Sequence, residues 1–271
     1  MNSPLKAAVL GSPIHHSLSP TIHMAAYKFL GVEIDYSAIE VPSGSLPDFL
    51  SKIDDSWVGF SLTMPLKEET IEVAATVDPL ALRINSANTL VKIVSGWHAT
   101  STDVAGFHSA LVRAGITNPK RVVILGSGAT ARAAAAAVDS SECEIFVAHR
   151  SFHRELAMRS SVLHSEIRFL EWGSVLPDCD LLINTTPAHA ADSLTDSGNL
   201  PTNGVLFEAL YNPWPTELFK HWSTDAGARI DGLELLIGQA ISQIELFTRE
   251  PCDAQALWPL MRQAALASLG N

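Results

Sequence analysis

Short β-branched apolar runs alternate along this chain with longer runs whose apolar positions recur at helical spacing. Lys6–Gly11, Ile34–Ile39 and Val58–Leu62 read as strands. Between them Thr21–Leu30 reads as a helix, opened by Pro20, N-capped by Ser19 and stopped by Gly31. A second helix is expected near Ser45–Ile53 and a third over Glu68–Ala74. Ser86–Val91 enters a strand, Gly96-Trp97 reads as a hairpin turn, and the return strand leads to Asp103. A helix follows from about Val104 to Ala114. Then come a strand at Val122–Leu125, a glycine turn at Gly126-Ser127-Gly128, an alanine-rich helix and a strand at Glu144–Ala148. Ile167–Glu171, Leu181–Asn184, Val205–Leu210 and Arg229–Asp231 read as further strands, with a helix starting at Glu217. Leu233–Arg249 and Asp253–Leu269 read as two closing helices. Such alternation predicts an α/β fold.

The chain has 271 residues, 47% of them hydrophobic, enough for one large domain or two ordinary ones. Its formal net charge is −11, from 18 basic and 29 acidic residues, and the basic ones are scattered. That pattern argues against a nucleic-acid partner. Cys143, Cys179 and Cys252 show neither pairing nor metal spacing, which suits a reducing, cytoplasmic compartment. No basic segment followed by an apolar core opens the chain, and no apolar run is long enough to span a bilayer, so neither a signal peptide nor a membrane partner is expected. His15, His16 and His98 lack ligand spacing; they read as structural, and no metal is expected.

The glycine turn carries the first chemical signal. Strand, glycine turn and helix form the first half of a dinucleotide-binding βαβ unit, in which Gly126, Ser127, Gly128, Ala129 and Thr130 would cradle a pyrophosphate at a helix N-terminus. The third glycine of the usual fingerprint is absent, so Ala129 or Ala131 takes its packing place. An ordinary βα turn is the competing reading. The next strand runs into His149-Arg150-Ser151, with Arg154 beyond. An NAD site would place an acidic residue there; arginine suits a 2′-phosphate and so favours NADP. A solvated basic loop is the alternative.

Five segments around this fingerprint resemble the shikimate dehydrogenase family: Ser17–Pro20, Leu62–Lys67, Asn88–Leu90, Ser101–Asp103 with Gly106-Phe107, and Gly232-Leu233 with Gln239-Ala240. The resemblance covers nearly the whole chain. It implies two α/β domains: a substrate-binding catalytic domain of residues 1–103 plus 232–271, and a Rossmann-type, doubly wound NADP-binding domain of residues 104–231. The C-terminal helices would return to the first domain. It further implies Lys67 and Asp103 as a catalytic pair around the reacting oxygen. Ser17 and Ser19 would take a carboxylate, and Thr63, Asn88, Tyr211 and Gln239 would take the rest of a small hydroxylated ring. Gly126–Thr130, Arg150, Ser151, Arg154 and Thr185 would hold NADP.

The activity implied is reversible, NADPH-dependent reduction of 3-dehydroshikimate to shikimate, on the route to aromatic amino acids, by a monomer or homodimer. Ser61-Leu62, Ser86-Ala87, Ser101, His149 and Glu234-Leu235 depart from the family pattern. They leave open a quinate or aminoshikimate dehydrogenase paralogue. A nucleotide-binding sensor of weak catalytic power is the alternative of another class.

Overall fold

The computed structural model describes residues 4–222 and 228–270. The chain divides into two compact units, Met1–Gly106 with Leu236–Asn271, and Phe107–Leu235.

The first unit contains β1 (Leu5–Gly11), α1 (Ser19–Leu30), β2 (Ile34–Glu40), α2 (Leu46–Leu50), β3 (Trp57–Leu62), α3 (Thr70–Val73), β4 (Thr76–Val77), α4 (Pro79–Arg83), β5 (Thr89–Ile93) and β6 (Gly96–Thr100). Its sheet runs β2-β1-β3-β5-β6-β4. β1 pairs in parallel with β2 and β3, whereas β5 is antiparallel to both β3 and β6. One apolar face, from Ala8 and Leu10 through Phe60 and Leu62 to Leu90 and Ala99, is fully buried against Leu46, Leu66 and Trp97. Burial of such a surface is the main favourable contribution to folding.

The second unit contains β7 (Arg121–Leu125), α6 (Ala129–Ala137), β8 (Glu144–His149), α7 (Glu155–Ser160), β9 (Glu166–Glu171), β10 (Leu181–Asn184), α8 (Asp192–Thr195), β11 (Val205–Glu208), α9 (Glu217–His221) and β12 (Arg229–Ile230). Its sheet, β12-β11-β10-β7-β8-β9, is parallel throughout. Counted from β7, this is the 3-2-1-4-5-6 order of a doubly wound sheet. The order reverses between β7 and β10, so the C-terminal ends of those two strands form the switch point where such sheets bind ligands. Val122–Leu125 is wholly buried, as a strand covered on both faces must be. α5 (Asp103–Arg113) and α10 (Gly232–Thr248) carry the chain across the unit boundaries, and α11 (Ala254–Leu269) packs on α1.

Several expected elements shift. Ser19 is the first residue of α1, not its cap; Leu18 holds the cap position and no side chain caps the helix. The hairpin turn is Val94-Ser95, and Gly96 already pairs with Ile93 in β6. The helices expected near Ser45–Ile53 and over Glu68–Ala74 contract to α2 and α3, and the strand at Val205 stops at Glu208. There Leu210 turns its amide onto the Glu208 carboxylate instead of a neighbouring strand. β4, α4, α7 and α8 were not expected. α4 did carry a readable signal, because Asp78 precedes Pro79 and its carboxylate accepts the Leu80 amide.

Candidate active site

Three elements of the first unit converge on one carboxylate. Asp103 opens α5 and is 4% exposed. Lys67 follows β3, and its backbone carbonyl accepts the Ala87 amide, which ties the lysine segment to the entrance of β5. Lys67 Nζ lies 2.5 Å from Asp103 Oδ2. Asn88 Nδ2 donates to the other oxygen, Oδ1, at 2.9 Å. Asn88 is itself held by the Thr102 amide, which donates to its Oδ1 at 2.7 Å. Gln239, on α10, brings Oε1 to 3.3 Å from Asn88 Nδ2 and donates from Nε2 to the Leu236 carbonyl. Gly106 makes this approach possible: a Cβ there would stand 2.8 Å from the Gln239 nitrogen. Only a glycine in α5 lets α10 come so near.

Thus Lys67, Asn88, Asp103 and Gln239 are brought into one cluster. The lysine retains some exposure, 15%, while the carboxylate beneath it has 5%. A cation held by a buried acid beside hydroxyl- and amide-bearing side chains can stabilise a developing oxyanion and hand it a proton.

Ser17 and Thr63, on the loops leaving β1 and β3, and Ser19, at the start of α1, lie outside this hydrogen-bonded cluster. Ser17 Oγ accepts the Ser19 amide at 3.3 Å. Thr63 sets its methyl group against Gly11, and the Ser12 amide donates to the Met64 carbonyl, joining the two loops. Both loops leave the C-terminal ends of adjacent parallel strands, a usual place for ligand contacts.

Sequence reading missed Thr102 and Gln243. Gln243 is wholly buried and donates to the Asn88 carbonyl and the Thr89 hydroxyl. Its position four residues after Gln239 on α10 puts both on one helix face, a signal that was available.

In the second unit, Gly126 has φ +102°, and a Cβ there would stand 2.9 Å from Thr185 Oγ1. That backbone favours glycine, and the crowding reinforces it. Thr185 donates its hydroxyl to the Leu125 carbonyl, which locks the β10 exit against the turn. Gly128 caps α6, whose first turn contains no acidic residue and no side-chain cap. Ser127 is buried; Ala129 and Thr130 are half-buried, and Ala131, at the third glycine position of the fingerprint, is fully buried. The site of a Gly128 Cβ lies 3.6 Å from Arg154 Nη1, so a guanidinium already stands over the turn. Arg150 is exposed and Ser151 half-buried at the end of β8. A helix N-terminus, a bare glycine turn and two arginines match the phosphates of a dinucleotide.

Beyond β11 lies half-buried Tyr211. Glu208, at the strand's end, is fully buried and accepts from Asn184 Nδ2, the Thr216 hydroxyl and the Leu210 amide. Burial nevertheless pushes its carboxyl above the usual range. Asn184 Oδ1 in turn accepts the Thr186 amide and hydroxyl, so Glu208 braces the exits of both β10 and β11.

Among the described residues no group of histidines, cysteines and carboxylates could hold a metal, and no helix is long and apolar enough to cross a membrane.

Residues 9–90 match the family model of the shikimate dehydrogenase substrate binding domain. The whole chain is similar to the NADP(+) shikimate dehydrogenase of Trichormus variabilis, 30% identical over 97% of this chain and 96% of the relative. It is also similar to the crystal structure of Mycobacterium tuberculosis shikimate dehydrogenase, with TM-score 0.84 and 34% identity over 97% of this chain and all of that one (100%). A third similar structure is shikimate 5-dehydrogenase from Thermus thermophilus in complex with NADP(H) and shikimate, with TM-score 0.81 and 29% identity over 96% of this chain and 99% of that one.

Proposed function

The chain belongs to the shikimate dehydrogenase family, and from that premise we propose that it interconverts 3-dehydroshikimate and shikimate with NADP. The observation that carries this reading is the Asp103 carboxylate, bound by Lys67 at 2.5 Å on one oxygen and by Asn88 at 2.9 Å on the other.

NADP, when bound, accepts or supplies the hydride. The second unit holds it: Gly126–Thr130 receive the pyrophosphate at the α6 N-terminus, Arg150, Ser151 and Arg154 receive the adenosine 2′-phosphate, and Thr185 lines the turn. The first unit is the substrate domain. Ser17 and Ser19 bind the ring carboxylate, and Thr63, Asn88 and Gln239 bind its hydroxyls. We place the catalytic domain at residues 1–103 with 232–271 and the cofactor domain at residues 104–231.

Lys67 performs the acid–base work. In reduction it places positive charge beside the ketone oxygen and gives that oxygen the proton on Nζ. In oxidation Nζ takes the hydroxyl proton back. Asp103 orients the ammonium and balances its charge, and Asn88, by donating to Oδ1, leaves Oδ2 for the lysine. Three unpaired cysteines support a cytoplasmic place for this chemistry, and the substrate is a small molecule.

The test is a spectrophotometric assay of NADPH formation or loss, with shikimate and with quinate, each paired with NADP and with NAD. Turnover of shikimate with NADP above the other three combinations is expected. A preference for quinate, or turnover of neither acid, overturns the reading.

A further inference from the structure

A buried hydrogen-bonded chain leads away from Asp103 into the first unit. The Tyr36 hydroxyl donates to Ser61 Oγ at 2.6 Å, and Ser61 donates to Gln243 Oε1 at 2.7 Å. Gln243 Nε2 donates to Thr89 Oγ1 at 3.0 Å and to the Asn88 carbonyl at 3.2 Å. Thr89 donates to Asn88 Oδ1 at 2.9 Å, and Asn88 Nδ2 ends the chain on Asp103 Oδ1.

Both carboxamides have their orientation set by groups of only one polarity. A backbone amide can only donate, so Asn88 must present Oδ1 to the Thr102 nitrogen. A backbone carbonyl can only accept, so Gln243 must present Nε2 to Asn88. Every donor from Tyr36 onward therefore points toward the carboxylate, and aligned bonds in a dry interior polarise one another. Gln243 is the hinge of this order. It is 0% exposed, it lies 155 positions from Asn88 in sequence, and both donor bonds of its Nε2 end on the adjacent residues Asn88 and Thr89. A buried amide kept for packing alone would be better replaced by an apolar side chain of the same volume.

We infer that Gln243 is a positioning residue for the reaction: it aims the Asn88 amide at Asp103 Oδ1 and thereby keeps Oδ2 for Lys67. The catalytic consequence rests on the dehydrogenase reading above; the positioning itself rests on geometry alone.

Two variants test it. Gln243→Met keeps the volume and removes both polar groups. Gln243→Glu keeps the shape but removes the donor, so the Thr89 hydroxyl turns toward the new carboxylate and away from Asn88. In steady-state kinetics each should lower kcat roughly tenfold or more, the scale of a lost buried hydrogen bond, while KM for shikimate moves less than about threefold. In an Asp103→Asn background the same changes should cost less than about twofold more, since the group they position is gone. Equal losses in both backgrounds would show a merely structural role and overturn the inference.

A second readout needs no turnover. Lys67 acetylation by acetic anhydride, followed by peptide mass spectrometry, should be slow in the wild type and about threefold faster or more in Gln243→Met, because a looser carboxylate frees the amine. Unchanged labelling overturns the inference even in an active enzyme. Faster labelling in a protein inert to shikimate and quinate upholds it and overturns the dehydrogenase reading instead. If Gln243→Met does not fold, Tyr36→Phe, which removes only the first donor, must shift kcat and labelling in the same directions by smaller factors; no shift in either overturns it.

Discussion

Lys67 and Asp103 stand 36 positions apart in sequence, yet Nζ lies 2.5 Å from Oδ2, and the contact joins the segment after β3 to the first residue of α5. The pair is asymmetric: the acid is buried and doubly held, whereas the base keeps an open side. That asymmetry leaves the lysine proton as the one that can move.

Lys67→Ala should therefore depress turnover by on the order of 10²-fold or more, the usual scale for a positioned acid–base group. KM for shikimate should change much less, because the ring contacts proposed for Ser17, Ser19, Asn88 and Gln239 remain. Asp103→Asn should slow turnover too, and the double variant should lose less than the product of the single losses. Steady-state kinetics on the three proteins, with folding checked by circular dichroism, decides the matter.

The proposed 2′-phosphate contacts of Arg150 and Arg154 predict a cofactor preference. Arg150→Ala should raise KM for NADP by roughly tenfold or more, the worth of a charge-assisted contact, and leave NAD use almost unchanged. Comparable losses with the two cofactors would remove the arginine from the 2′-phosphate.

His23 makes acid stability measurable. It is fully buried, its ring stacks on Tyr36 at 4.0 Å, and Tyr27 and Phe247 also face it. Burial pushes its pKa from 6.5 down to about 3, against an opposing contact from Gln243. The unfolded chain thus binds a proton between those values that the folded chain refuses, so stability is complete above 6.5 and falls as pH drops toward 3. The loss should be on the order of a few kcal/mol. His23→Phe, which keeps the stack, should flatten this part of the profile. The measurement is Tm against pH for both proteins; parallel curves would show that His23 is not the group responsible.

Gly106→Ala tests the close approach of α5 and α10. The added methyl would stand 2.8 Å from the Gln239 nitrogen and must push the helices apart. Stability should fall by about 1–3 kcal/mol, as in other overpacked cores, and KM for shikimate should rise as Gln239 withdraws. Denaturant unfolding and kinetics on one preparation report both effects.

The α/β class, most strands and the long helices were legible in the sequence because they follow from local rules. Val122–Leu125 is a continuous apolar run, as a strand covered on both faces must be, and Gly126 marks a backbone that few other residues adopt. β4 and α8, of two and four residues, escaped because they carry no period of their own. β4 exists only through its register with β6, where Thr76 meets His98.

The candidate site divides in the same way. Loop motifs with family resemblance pointed to Lys67, Asp103 and Asn88, and the ends of β7 and β8 to the residues we propose for phosphate binding. The buried partners of residues beside or beyond these motifs were not readable from them, although Gln243 stands one helical turn past Gln239 and Ser61 just before Leu62–Lys67. Gln243, Ser61 and Tyr36 look like ordinary helix and strand residues in sequence, and Glu208 like a solvated acid. Tertiary structure alone decided their partners, because the sequence separations of 182 from Ser61 to Gln243 and 25 from Tyr36 to Ser61 can be closed only by packing of the whole unit. Composition and local pattern thus determined which elements form and what chemistry their ends carry. The directions of the buried hydrogen bonds, and so which oxygen of Asp103 is left for Lys67, depend on long-range contacts that no local stretch of chain encodes.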